Sequence, residues 1–98
     1  MNWSIHWTGK AFKQRQRLPA KPRNILPALE KALKNGPRLS TKWRNFKKTA
    51  GVTDCYHCHL CSGRTTYVAI WRADRKMKTI EIRYVGTHEG AGNYRIHC

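Results

Sequence analysis

Acidic side chains are scarce in this chain. Five Asp and Glu stand against 20 Lys and Arg in 98 residues, a formal net charge of +15. That balance disfavours cationic partners and implies a polyanion: nucleic acid, an anionic membrane surface or a strongly acidic protein. Long apolar runs are also missing. The start, MNWSIHWTGK, has no apolar segment of the secretory type, and no stretch is long enough to span a bilayer. The chain therefore reads as cytoplasmic, and its four cysteines as thiols. There is no internal repeat and no low-complexity tract. With 40% hydrophobic residues and four tryptophans, disorder is not expected. The length fits a single domain over residues 1–98 with one modest core.

The charge is uneven. Residues 1–50 carry 13 basic and one acidic side chain, residues 51–98 seven and four. The basic excess belongs mainly to the first half.

Asn2 to Thr8 alternates, with Trp3, Ile5 and Trp7 on one face and Ser4 and His6 on the other, which predicts a strand with one buried face. Thr8 then serves as N-cap of a short helix over 9–18, with Ala11, Phe12, Arg15 and Leu18 on one side. Pro19 ends it. A second helix is expected from Pro22 to about Asn35, with an apolar stripe of Ile25, Leu26, Leu29, Ala32 and Leu33 and a kink near Pro27. Asn35-Gly36-Pro37 stops it.

Residues 38–53 form a charged connector with Arg38, Lys42, Arg44, Lys47 and Lys48 around Trp43 and Phe46. Cations between aromatics can track a phosphate backbone while a ring stacks on a base. The alternative is that the rings anchor the loop on the core and the lysines are solvated.

Asp54 to Trp71 is the most informative stretch: two β-like runs around a Ser62-Gly63 turn signal. His57 and His59 fall on the same face of the first run, about 6.6 Å apart along the strand. An odd loop over 62–64 pairs Leu60 with Thr66, Cys58 with Val68 and Tyr56 with Ile70. It leaves Tyr67 and Trp71 on the histidine side; a two-residue loop would reverse this. The odd loop is preferred. A third strand over 78–85 follows, with Ile80, Ile82 and Tyr84 inward, Glu81 and Arg83 outward, and Gly86 as its end.

The sum is an α+β fold of order β-α-α-β-β-β: two helices on one face of a small, mainly antiparallel, four-stranded sheet. The other face would be partly open and carry the histidines.

Three cysteines and two histidines between 55 and 61 invite a zinc site. Strand geometry opposes it. Cys58 faces away, and Cys55 and Cys61 would be roughly 20 Å apart on a straight strand, whereas zinc needs sulfurs about 2.3 Å away. Only a loop conformation would bring zinc back, with His97 or Cys98. No metal ligand is therefore assigned. Two histidines can instead supply a base and an acid near neutral pH. RNA is a target for such a pair that requires no cofactor: a base takes the 2′-hydroxyl proton, an acid protonates the leaving 5′ oxygen, and a cation stabilises the phosphorane.

The runs YHCHL at Tyr56–Leu60, GRTTYVAIW at Gly63–Trp71 and YVGTHE at Tyr84–Glu89, with the order of elements, resemble the RelE/ParE superfamily of toxins from toxin–antitoxin pairs. The similarity spans nearly the whole chain. The GTH element resembles a branch of mRNA endoribonucleases acting in the ribosomal A site. That resemblance implies a RelE-like fold, an mRNA and ribosome partner, and a cognate acidic antitoxin. It places His59 and His88 in the active site, with Tyr94 as the C-terminal aromatic and His57 flanking. Arg64, Arg72, Arg83 and Trp71 become candidates for RNA contact, with Lys42, Arg44, Lys47 and Lys48. Two other functions stay open: a ParE-like toxin that binds DNA gyrase, and a basic RNA-binding protein without catalysis.

Overall fold

The computed structural model describes residues 2–40 and 43–98. Its elements are β1 (Ser4–Trp7), α1 (Gly9–Arg17), α2 (Ala20–Arg23), α3 (Leu26–Leu33), β2 (Lys47–Lys48), β3 (Cys55–Cys61), β4 (Tyr67–Asp74), β5 (Thr79–Thr87), α4 (His88–Ala91) and a 3₁₀ turn, Tyr94–His97. The strands form one sheet in the order β1-β5-β4-β3-β2, with β1 parallel to β5 and the other pairs antiparallel. The architecture is α+β as expected, with five strands rather than four. The added strand is Lys47–Lys48, too short for its alternation to show in the sequence.

Thr8 caps α1, its side chain accepting from the Ala11 N–H at 3.0 Å, a contact of the kind that contributes about 1 kcal/mol. The expected second helix is two pieces. Pro27 has no N–H, and its ring excludes the carbonyl four residues back, that of Arg23. α2 ends at that residue and α3 starts beside the proline. Phe12 departs from its expected face: it is 47% exposed, while Ala11 and Leu18 are buried.

The main core lies between the helices and one sheet face. Leu26, Leu29 and Leu33 from α3 meet Tyr56, Cys58, Trp71, Ile80 and Ile82. Phe46 stacks on Tyr56 and Trp71 at centroid distances of 5.9 and 6.2 Å, and Trp43 packs on the same core. The connector rings are thus anchors.

Two bulges correct the expected strand parities. In the β3–β4 pair, Tyr56 faces Trp71, His57 faces Ile70, Cys58 faces Ala69 and His59 faces Val68, with a shift at Leu60. The register is one residue from the odd-loop pairing. Trp71 consequently joins the helix side, wholly buried, and its Nε1 donates to the Pro37 carbonyl at 3.0 Å. It is unavailable for stacking on a base. Val68 and Ile70 take the histidine side instead. In β5, Ile70 faces Tyr84 and Trp71 faces Ile82, so Arg83 is the extra residue. An extra residue reverses the alternation. Ile80 and Ile82 face the helices, and Tyr84 is buried on the opposite face. The strand also continues through Gly86 to Thr87.

A second, smaller core forms there from Cys55, Val68, Ile70, Tyr84 and Ala91. It is covered by residues 88–98, which cross back over the sheet. A disulfide between Cys55 and Cys98 fastens this segment. The expectation of four thiols is therefore wrong for this pair; Cys58 and Cys61 are free. The folding-back of the tail brings together two cysteines 43 residues apart, a proximity that local spacing does not encode. No helix among the described residues is long and apolar enough to cross a membrane.

Candidate active site

Between the C-terminal segment and the connector lies an open groove of about 800 Å³. Its lining includes His57 and His59 from β3, His88 from the start of α4, and Tyr94 from the 3₁₀ turn. All four side chains expected to act converge there. The His59 and His88 rings lie 5.7 Å apart between centroids, and Tyr94 lies 4.4 Å from His57 and 5.8 Å from His88, each pair edge to face.

The GTH motif has a local physical account. Tyr84 Oη donates to the Thr87 carbonyl at 2.9 Å. A Cβ at Gly86 would stand 2.7 Å from that hydroxyl, so only glycine leaves room. Thr87 Oγ1 accepts from the Gly90 N–H at 2.9 Å and caps the turn. The His88 N–H donates to the Thr66 carbonyl at 2.8 Å. These contacts fix the backbone of His88 at the groove edge, with its side chain exposed.

His57 is half-buried, and its Nδ1 shares a 2.9 Å hydrogen bond with the Thr49 hydroxyl. Burial, then the neighbouring His59, Lys47 and His88, push its pKa down to about 4. His59 is lowered by burial, by His88 and by Arg44. A ring that loses solvent among cations resists protonation, so both β3 histidines are neutral at pH 7. The Asn45 amide nitrogen is 2.9 Å from His59 Nδ1 and 3.5 Å from Nε2. A donor in the ring plane along the Nδ1 lone pair would be about 5 Å from Nε2. The amide therefore lies over the ring face and leaves both nitrogens open in the plane.

The Tyr94 hydroxyl is enclosed and has no hydrogen-bond partner among the described residues. Burial and the nearby Tyr84 raise its pKa. The ring, more than the hydroxyl, meets the groove histidines.

The cations expected at the site are dispersed. Lys47 lines the groove, paired in register with His57. Lys48 pairs with Tyr56 and so points to the other face. Arg44 donates to Ser62 Oγ at 2.9 Å, beside His59. Arg64 lines a second cavity of about 470 Å³ that also includes His88 in its lining. Arg72 and Arg83 lie outside the groove lining, each donating through Nη1 to the Cys98 carbonyl at 2.9 Å. Arg83 is also ion-paired with Glu81 at 2.8 Å. Trp71 is on the opposite face, and Lys42 lies outside the described residues. Among the described residues no three His, Cys, Asp or Glu side chains converge as a metal site; Cys55 is disulfide-bonded, and Cys58, its thiol pushed up to about 12 by burial, faces the helices.

Asn45, Thr49, Gly51, Asn93 and Arg95 also line the groove. Sequence reasoning missed them because loops carry no periodicity; only the basic-aromatic connector pointed towards the first three.

No family model matches the chain, and no curated protein matches it. Solved structures do. A mutant of the Escherichia coli toxin RelE in the free state aligns with TM-score 0.76 and 21% identity, over 97% of this chain and 93% of that one. A chain of the archaeal RelE–RelB complex from Pyrococcus horikoshii aligns with TM-score 0.72 and 21% identity, over 89% of this chain and 96% of that one. The RelBE2 toxin–antitoxin complex from Mycobacterium tuberculosis gives 0.63 and 17%, over 90% and 100%. The chain has the RelE fold over nearly its full length.

Proposed function

We propose that this protein is the toxin of a toxin–antitoxin pair and acts as a ribosome-dependent mRNA endoribonuclease. The observation that carries the reading is the meeting of His59 and His88 in one open groove on a RelE fold. His59, neutral at pH 7, takes the proton from a 2′-hydroxyl. That oxygen attacks the adjacent phosphorus, the bond to the 5′ oxygen breaks, and His88 supplies its proton. The products are a 2′,3′-cyclic phosphate and a 5′-hydroxyl. Lys47 lends positive charge to the phosphorane. His57, pushed down to about 4 and hydrogen-bonded to Thr49, is too weak a base to lead and supports the site as a neutral ring. Tyr94 packs on His57 and His88 and orients them. The basic surface of the first half, including Arg44 and Lys48, binds ribosomal RNA.

Complexes with RelB among the neighbours support an antitoxin partner. The charge of +15 makes an acidic one the complementary choice. A chain this small has little surface with which to hold and distort RNA unaided. Messenger RNA on programmed ribosomes should be cut, and the same RNA alone should be cut poorly. Efficient cleavage of naked RNA at the same sites would remove the ribosome from this account.

A further inference from the structure

We infer that Arg95 holds a backbone phosphate of the RNA strand where the groove passes Gly51; this rests on the reading of the groove as an RNA site. Arg95 lies on the Tyr94–His97 turn and lines the groove with Lys47, Thr49 and Gly51. Its side chain passes across Gly51, where an added Cβ would stand 3.1 Å from Nη1 and 3.5 Å from Cδ. Gly51 has φ +79°, a conformation that favours glycine. The loop is thus shaped to let the arginine lie along it.

The turn that carries Arg95 is braced. The Asn93 side chain accepts from the Arg95 N–H at 3.1 Å, and the Cys98 N–H donates to the Arg95 carbonyl at 3.1 Å. His97 Nε2 meets the Ala91 carbonyl at 2.8 Å, and the disulfide closes the end. An arginine on a fixed turn loses less freedom on binding than one on a loose tail.

Charge points the same way. Among the described residues lining the groove there is no Asp or Glu, and its Lys and Arg side chains are Lys47 and Arg95. Arg72 and Arg83 are committed to the Cys98 carbonyl. A guanidinium fork matches two phosphate oxygens where an ammonium cannot. His88 lines both cavities and Arg64 lines the second, so each cavity that meets His88 carries an arginine.

The test uses a 2′-O-methyl trinucleotide, which has two phosphates and cannot be cleaved. Titrated into the ¹⁵N-labelled full chain, it should shift the Gly51, His57 and Arg95 amides. Arg95→Gln should weaken binding about tenfold, as for loss of one charge-assisted contact. Arg95→Lys should keep the salt slope while recovering only part of the affinity. Arg17→Gln, a last-turn cation on α1, controls for general loss of charge. Equal weakening by Arg95→Gln and Arg17→Gln, or shifts confined to other surfaces, would overturn the inference. Failure of the function reading looks different: the trinucleotide binds at Arg95, yet wild-type protein leaves ribosome-bound mRNA intact.

Discussion

Opening the Cys55–Cys98 bond should weaken the fold and loosen the site together. The two cysteines are 43 residues apart. The loop-closure entropy of a loop that long corresponds to about 4 kcal/mol, and native disulfides commonly contribute about 2–5 kcal/mol. The perturbation is Cys55→Ala with Cys98→Ser, since position 55 is fully buried and a hydroxyl there would lack a partner. In urea, with a slope of about 1–3 kcal/mol/M for a small domain, the midpoint should fall by about 1–4 M. The sheet should persist, because the main core between helices and sheet contains neither cysteine. His57 should gain solvent as the Tyr94 turn loosens. Its pKa should then rise from about 4 towards the ordinary value, since burial is the largest cause of its depression. Thiol titration of the wild type in denaturant without reductant should find two thiols per chain. Four thiols, or an unchanged midpoint in the double variant, would refute the reasoning.

Three further outcomes follow from the site. Because His57 and His59 have pKa values below 6.5 in the folded chain, their neutral forms support folding fully above about pH 6.5. That support fades as pH falls towards about 4. Urea midpoints at pH 7 and pH 5 should differ less in His57→Gln than in wild type, and an equal difference would contradict the shift. Tyr94→Phe should keep cleavage within about threefold and hold or raise stability, since it deletes a buried hydroxyl without a partner; Tyr94→Ala should lose far more, and a large loss in Tyr94→Phe would return the hydroxyl to the chemistry. Association with an acidic antitoxin should slow steeply as salt rises, and a salt-independent association rate would remove charge steering.

Local rules carried much of this fold. Thr8 as a cap, the alternation of Trp3, Ile5 and Trp7, the α3 stripe and the adjacency of His57 and His59 are all legible, because each depends on neighbours in sequence. Pro27 signalled a kink, though not that the helix would divide at Arg23. The bulges at Leu60 and Arg83 were illegible, since either parity gives a plausible apolar face. Burial of the Trp71 ring, which donates to Pro37, accompanies one register of β3 and β4 and removes that ring from the histidine face. At the site, His59, His88 and Tyr94 could be named from motif resemblance, whereas Asn45, Thr49 and Arg95 arrive through loops folded by distant contacts. Arg72 and Arg83, candidates for RNA contact, lie outside the groove lining for the same reason: the returning tail engages both.

The central claim is that His59 and His88 form one acid–base pair. Its most direct test is single-turnover cleavage of mRNA on programmed ribosomes across pH, with end-group analysis. The account predicts a 2′,3′-cyclic or 3′-phosphate with a 5′-hydroxyl and a bell-shaped rate profile whose base limb lies below pH 6.5, following the lowered His59. His59→Gln and His88→Gln should each lose roughly 10²- to 10⁴-fold, and the double variant should lose less than the product of the two. A 5′-phosphate product, or full activity in a folded His88→Gln variant, would contradict it.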